Sequence, residues 1–287
     1  METPIIVLIT GCSSGIGREL LTLFNRDPYR IVATALPESL NAFDGDPIAE
    51  SDRIWIRGLD ILDYGKVTRI VRETEERWGP IDILINNAGI SYRSVVEDMT
   101  IEDEQRQMQV NYLGPMHLIR ECLPAMRKRR SGRIVNVSSV GGMMAMPTMA
   151  SYSASKFALE GATESLWYEL RPWNIHSTLV RPGFINSLAF RKVLYSSKRK
   201  DAAQASPYEP HYTHMTRFVE KLMTHSPCTS ESVARSIFKV ARMPRPPLRV
   251  AGTTDARIFY FLRRLLPRSL YHYLLYRTLP GIRQWGK

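Results

Sequence analysis

A chain of 287 residues, 44% hydrophobic and 23% charged, has the composition of an ordinary folded protein long enough to bury a full core, which excludes wholesale disorder. Its three cysteines, Cys12, Cys122 and Cys228, are odd in number, far apart and in no Cys-x-x-Cys spacing; this argues against a disulfide framework or a metal centre and for a reducing, cytoplasmic setting. The net charge of +11 is unevenly spread, because residues 256–287 hold seven Lys or Arg and no acidic residue.

The opening METPIIVLITG lacks a basic n-region and reaches a glycine loop after a short apolar run, so it predicts a first strand and not a secretion signal. Residues 5–10 are β-branched or aliphatic almost throughout, as in a strand buried on both faces, and residues 18–25 carry Leu20, Leu21, Leu23 and Phe24 at helical spacing. Short apolar runs at 30–35, 54–59, 81–86, 133–138 and 175–180 predict further strands, with helices at 64–78, 101–130 and 151–173 between them. Alternation of this kind gives an α/β fold, a parallel sheet with helices on both faces. Past Pro182 the alternation breaks. Residues 186–227 are polar, aromatic and irregular apart from a short helix at 214–225, and form the expected substrate lid. Residues 229–243 predict a helix stopped by Pro244, and 248–251 a last strand. One domain over 1–252 is expected, then a basic amphipathic C-terminal extension, 253–287, that Pro267 divides into two short helices. No apolar run of about eighteen residues predicts a spanning helix.

Two stretches carry chemistry. The loop Thr10-Gly-Cys-Ser-Ser-Gly-Ile-Gly17 follows a buried strand and precedes an amphipathic helix, where glycines let backbone approach a pyrophosphate and a helix N-terminus supplies N–H groups. Tyr152 and Lys156 stand four apart on a predicted helix and so share a face. A free phenol titrates near about 10, and a neighbouring ammonium lowers that towards the range useful for proton transfer.

The glycine spacing also resembles the short-chain dehydrogenase/reductase family, and the likeness accumulates along the chain. Asn86-Asn87-Ala88-Gly89 closes the fourth strand, Asn111 lies in Val-Asn-Tyr-Leu-Gly, Asn136-Val-Ser-Ser139 closes the fifth strand, Tyr152-Ser-Ala-Ser-Lys156 follows, and Arg181-Pro-Gly183 follows the sixth. Ser139-Val-Gly-Gly-Met-Met-Ala-Met-Pro147 and Tyr-Ser-Ala-Ser-Lys-Phe-Ala-Leu-Glu-Gly161 look most like 17β-hydroxysteroid and retinol dehydrogenase-like members.

The resemblance implies a Rossmann-type doubly wound sheet and an oxidoreductase in which Tyr152 exchanges the proton, Ser139 hydrogen-bonds the substrate oxygen, Lys156 holds the nicotinamide ribose and lowers the phenol pKa, and Asn111 holds a relay water. It further implies dinucleotide contacts at Gly11, Ser13, Ser14, Gly15, Ile16, Gly17, Asp60, Asn87, Ala88, Gly89, Tyr152, Lys156, Pro182, Gly183 and Ser187, the last a serine where the family usually has threonine. Ser139, Met146 and Tyr152 are the expected substrate contacts, and no metal is needed. The second strand ends in Ala35 and Leu36, with neither the carboxylate that selects NAD nor the cation that holds the extra phosphate of NADP. Loss of the carboxylate favours NADP(H), and the missing cation keeps NAD(H) open.

Met143, Met144, Met146 and Met149 after the serine, with Met215, Phe218, Leu222 and Met223 in the lid, suit a steroid, a retinoid or another lipophilic substrate. His211 and His214 stand where they reach a polar substrate end or solvent equally well. The tail reads either as an amphipathic element on an anionic membrane, which would make the chain membrane-peripheral, or as a helix packed over the substrate opening or at a dimer contact. Basic runs at 127–133 and 198–200 come with no base-reading motif, so no nucleic acid partner is expected. The family habit implies a homodimer or tetramer. The rival reading, a non-catalytic dinucleotide-binding scaffold or sensor, sits poorly with Ser139, Tyr152 and Lys156 all being present.

Overall fold

Strand β1 (Ile6–Ile9) is buried throughout, and its alternate residues serve opposite faces of a sheet. Val7 and Ile9 meet Leu20, Leu21 and Phe24 of α1 (Gly15–Asn25) and Val233, Ala234 and Ile237 of α8 (Ser230–Ala241). Ile6 and Leu8 meet Val67, Ile70 and Val71 of α2 (Tyr64–Trp78) and Leu118, Ile119 and Cys122 of α4 (Gly114–Arg129). In this computed structural model, which describes residues 4–187, 193–201 and 206–286, the sheet runs β3-β2-β1-β4-β5-β6-β7. Here β2 is Arg30–Ala35, β3 Ile54–Gly58, β4 Ile83–Asn86, β5 Gly132–Val137, β6 Ile175–Arg181 and β7 Arg249–Ala251. Every pairing is parallel. The fold is the expected Rossmann-type doubly wound sheet, and the strand order reverses between β1 and β4, where such sheets open a crevice at their carboxyl ends.

One predicted helix is not continuous. The stretch from 101 to 130 divides into α3 (Ile101–Met108), a π-helical turn (Gln109–Leu113) and α4. The wide turn shifts the hydrogen-bond ladder by one residue, and Asn111 lies at its middle, buried. Helix α5 (Ala150–Leu170) carries Tyr152 and Lys156 and is fixed to β5 at two levels. Lys156 Nζ donates to the Val137 carbonyl at 3.0 Å, and Asn136 Nδ2 donates to Thr163 Oγ1 at 2.9 Å while Asn136 Oδ1 accepts from Asn86 Nδ2 at 2.8 Å.

Of the expected lid at 186–227, residues 188–192 and 202–205 lie outside the described residues. The described part contains α6 (Ser197–Asp201) and α7 (Glu209–Thr224), the latter beginning earlier than its sequence pattern predicts because Pro210 starts its first turn. It is tied down by two carboxylates. Asp98 accepts from Tyr212 at 2.9 Å and Ser206 at 3.0 Å, and Asp103 accepts from Thr100 and Ser196 at 2.9 Å each and from the Ser197 N–H at 2.9 Å. Burial acts to raise the Asp103 carboxyl, but the hydrogen bonds from Ser197, Thr100, Ser196 and Tyr92 outweigh it and hold it well below the usual carboxylate range.

The tail forms α9 (Thr254–Leu265) and α10 (Arg268–Thr278), broken at Pro267 as the sequence predicts. Among the described residues no helix is long and apolar enough to cross a membrane.

Candidate active site

The glycine loop leaves β1 with Gly11 at φ +74° and Gly15 at φ +58°, both in the left-handed region open to glycine. A Cβ on Gly17 would lie 2.0 Å from the Gly11 carbonyl oxygen, so the loop closes on itself only with glycine there. Thr10 and Asn87 hold this turn to the end of β4. The Thr10 hydroxyl accepts from the N–H groups of Asn87 and Ala88 at 3.0 Å each, and Asn87 Nδ2 donates to the Thr10 and Gly11 carbonyls at 2.9 and 3.2 Å. Ser13 is half-buried, while Ser14 and Gly15 are exposed at the start of α1, leaving its first turn open to a ligand. This cradle, backbone-walled and capped by a helix N-terminus, fits a pyrophosphate.

Ser139, Tyr152, Lys156 and Asn111, which the sequence places far apart, come together beside it. The Ser139 oxygen accepts from the Gly141 N–H at 3.0 Å, and its hydroxyl stands near enough to the Tyr152 phenol to favour the ionised form. Lys156 Nζ lies 5.9 Å from the centre of the Tyr152 ring. Gly89 sits between Asn111 and Lys156, since a carbon added to it would lie 3.2 Å from Asn111 Oδ1 and 3.7 Å from Lys156 Nζ. The Asn111 amide is fully engaged, accepting from the Ile90 N–H at 2.9 Å and donating to the Ile90 carbonyl at 2.9 Å and to Ser155 Oγ at 3.0 Å.

The electrostatics differ from the sequence expectation. Burial raises the Tyr152 phenol above its ordinary value, and the opposing influence is the Ser139 hydrogen bond, not Lys156. Lys156 is itself pushed down to about 8 by burial, with the negative charge of Glu160 working against the fall. Its ammonium donates to the Val137 carbonyl, a contact that the four-residue spacing does not reveal.

Sequence reasoning missed Glu160. One turn beyond Lys156, it is buried, forms a double contact with Arg181 at the end of β6, and lies 3.4 Å from Arg249 of β7; Arg249 also reaches Glu164. Its partners are distant in sequence, so no local pattern signals it. Thr253 and Asp255 were missed likewise. The Thr253 hydroxyl accepts from the Gly183 N–H at 2.8 Å and Asp255 Oδ2 from the Phe184 N–H at 2.8 Å, so the start of the tail holds the loop after β6. A side chain on Gly183 would meet the Asp255 carboxylate at 2.0 Å. Pro182 is buried beside it, and Ser187 is half-buried further along. Asp60 accepts from the Leu62 N–H at 3.0 Å in the turn after β3. Met146 packs against both apolar clusters on this side, one with Met143, Met144 and Tyr271, the other with Phe184 and Met215.

A pyrophosphate-shaped cradle and a half-buried phenol at the same end of the sheet suit the removal or delivery of a proton next to a dinucleotide, the working arrangement of Rossmann-fold oxidoreductases. Comparison with known proteins agrees. The chain belongs to the short chain dehydrogenase family, whose profile matches residues 5–196, and it is an oxidoreductase of that family. It is 30% identical to the 3-ketodihydrosphingosine reductase of Bacteroides thetaiotaomicron, over 95% of this chain and 97% of that one. With retinol dehydrogenase 8 of Bos taurus it shares 32% identity, over 96% of this chain and 92% of the relative. Among solved structures, a short chain dehydrogenase/reductase from Burkholderia phymatum in complex with NAD superimposes with a TM-score of 0.77 at 21% identity, covering 92% and 95% of the two chains.

Proposed function

We propose that the chain interconverts a lipophilic secondary alcohol and its ketone, steroid-like or long-chain, or a retinoid-like alcohol and aldehyde, with NADP(H) preferred over NAD(H). The observation that carries the substrate class is the apolar lining downstream of Ser139. Met146 and Phe259 each join two apolar clusters built from α7, α9, α10 and the loops after β5 and β6. Methionine and aromatic side chains adapt to irregular apolar shapes. The names of the Bacteroides and bovine relatives support a lipid substrate and add a long-chain amino ketone to the alternatives.

A bound nicotinamide dinucleotide supplies or accepts the hydride at the substrate carbon. In the reducing direction the Tyr152 phenol gives its proton to the carbonyl oxygen as negative charge develops there, and Ser139 donates a hydrogen bond to the same oxygen. Gly141 fixes Ser139 for this, because its N–H occupies a lone pair of the hydroxyl oxygen. Lys156, anchored by Val137, would hold the ribose of a bound dinucleotide and restore the phenol proton through Asn111. With the Asn111 amide engaged by Ile90 and Ser155, its main chain in the π turn is the part assigned to the relay water. The dinucleotide would rest on residues 11–17, Asp60, residues 87–89, Pro182, Gly183 and Ser187.

For the NADP(H) preference, Arg18 supports what Leu36 lacks. Its guanidinium lies 4.9 Å from the centre of the Phe43 ring and pairs with Asp46, leaving Nη1 buried without a hydrogen-bond partner. It also acts on Cys12, whose N–H bonds the Thr34 carbonyl near the end of β2. A charge-assisted contact to the 2′-phosphate predicts that Arg18→Gln raises KM for NADPH about tenfold and leaves KM for NADH within about twofold. Steady-state kinetics with both cofactors measure this, and equal changes would reject it.

We also place the chain in a homodimer or tetramer. Helix α5 leaves Phe157 and Tyr168 exposed along one side, which supports contact between copies there. A cofactor-absorbance screen over steroid, retinoid, long-chain amino ketone and short aliphatic panels, run with NADPH and NADH, tests the reaction. Turnover confined to short polar carbonyls would overturn the proposed substrate class.

A further inference from the structure

Helices α9 and α10 have two apolar sides where a covering helix needs one. Ala256, Phe259 and Tyr260 of α9, with Tyr271 and Leu275 of α10, pack inward on Val140, Met143 and Met144. The outer side of α9 carries Ile258, Phe261, Leu262 and Leu265, at successive spacings of three, four and seven from Ile258, and all are exposed. Leu270, Tyr273 and Leu274 repeat the pattern on α10. A surface helix packed on one side ordinarily turns polar residues outwards.

The polar residues that flank these stripes are of one sign. Arg257, Arg263, Arg264, Arg268, Arg277 and Arg283 are all exposed, and no acidic residue occurs from 256 to 287. A second copy of the chain would set these arginines against one another with no carboxylate in the segment to meet them. Nucleic acid would suit the arginines and leave the leucine and phenylalanine stripe in water. An anionic bilayer surface meets both, with apolar side chains in the acyl boundary and guanidinium groups among phosphates.

We propose that α9 and α10 dock flat on an anionic lipid surface. Phe259, on the inner side of α9, packs like Met146 against both apolar clusters, so a lipophilic substrate dissolved in the bilayer would reach the site without crossing water. That last consequence rests on the proposed reaction; docking does not.

The test is flotation of the full chain with vesicles of phosphatidylglycerol and phosphatidylcholine against phosphatidylcholine alone, beside the double variant Phe261→Glu, Leu265→Glu. The wild type should float with anionic vesicles, about tenfold more than with neutral ones, and lose this in high salt. The double variant should stay in the soluble fraction while retaining dinucleotide binding and its sedimentation mass. Should it fail to fold, Arg264→Ser with Arg268→Ser keeps the apolar stripe and should still lower the anionic preference several-fold. A wild type that never floats, or variants that float as it does, would overturn the proposal. So would a halving of the sedimentation mass by the double variant with no wild-type flotation, which would make this face a contact between copies.

Discussion

Replacing Tyr152 with phenylalanine is expected to lower kcat about a thousandfold while dinucleotide affinity stays within about threefold. The substitution removes one hydroxyl and keeps the ring that packs against the loop holding Ser139 and Gly141, so the loss is one of proton transfer, which contributes about a hundredfold to ten thousandfold. Burial already holds the phenol above its ordinary value, so the Ser139 hydrogen bond is its principal aid towards ionisation. Ser139→Ala should therefore cost about a hundredfold, and displace the acidic-to-basic rise of the oxidation rate to higher pH. Stopped-flow turnover and fluorescence titration of the cofactor read the two quantities separately. Retention of more than about a tenth of kcat in Tyr152→Phe would remove Tyr152 from the proposed role.

Glu160→Gln should have the largest effect of any change away from the reacting atoms. Arg181 is buried against Glu160, and breaking a buried ion pair by neutralising one partner costs about 3–5 kcal/mol, which for a chain of this size lowers Tm by about 10 °C. A second readout separates positioning from scaffolding. Glu160 opposes the fall of the Lys156 pKa, which burial brings from 10.5 to about 8. With Gln at 160 that opposition is gone, so the alkaline limb of kcat/KM, where the ammonium is lost, should move to lower pH. The sign for stability runs the other way. Between about 8 and 10.5 the folded chain binds fewer protons at Lys156 than the unfolded chain, so this group's contribution to stability grows with pH across that window. Activity should decline over the interval in which the Lys156 contribution to stability improves. An alkaline limb unmoved in Glu160→Gln would show that Glu160 serves packing alone.

How much of this was visible in the amino acids follows from the range of each interaction. The strands announce themselves because alternate residues such as Ile6 and Val7 are apolar on both faces, and the strand ends carry the glycine and asparagine motifs that meet at one edge. The π turn at Gln109–Leu113 did not announce itself, since a single displaced hydrogen bond barely alters the spacing of apolar residues across α3 and α4. The balance around Lys156 was hidden for another reason. A spacing of four tells which side of a helix two groups share, but Val137, nineteen positions earlier, decides where the ammonium points. Glu160 with Arg181 and Arg249, and Asp255 with Phe184, are likewise pairs that only the closing of the sheet brings together.

The stitching of Thr253 and Asp255 to Gly183 and Phe184 has an evolutionary corollary. A lineage that shed this appendage would also unfasten the loop against which the nicotinamide is proposed to lie, so the proposed reach towards lipid and the proposed grip on cofactor would be lost together. Any descendant that abandons one must first invent another clasp for the other.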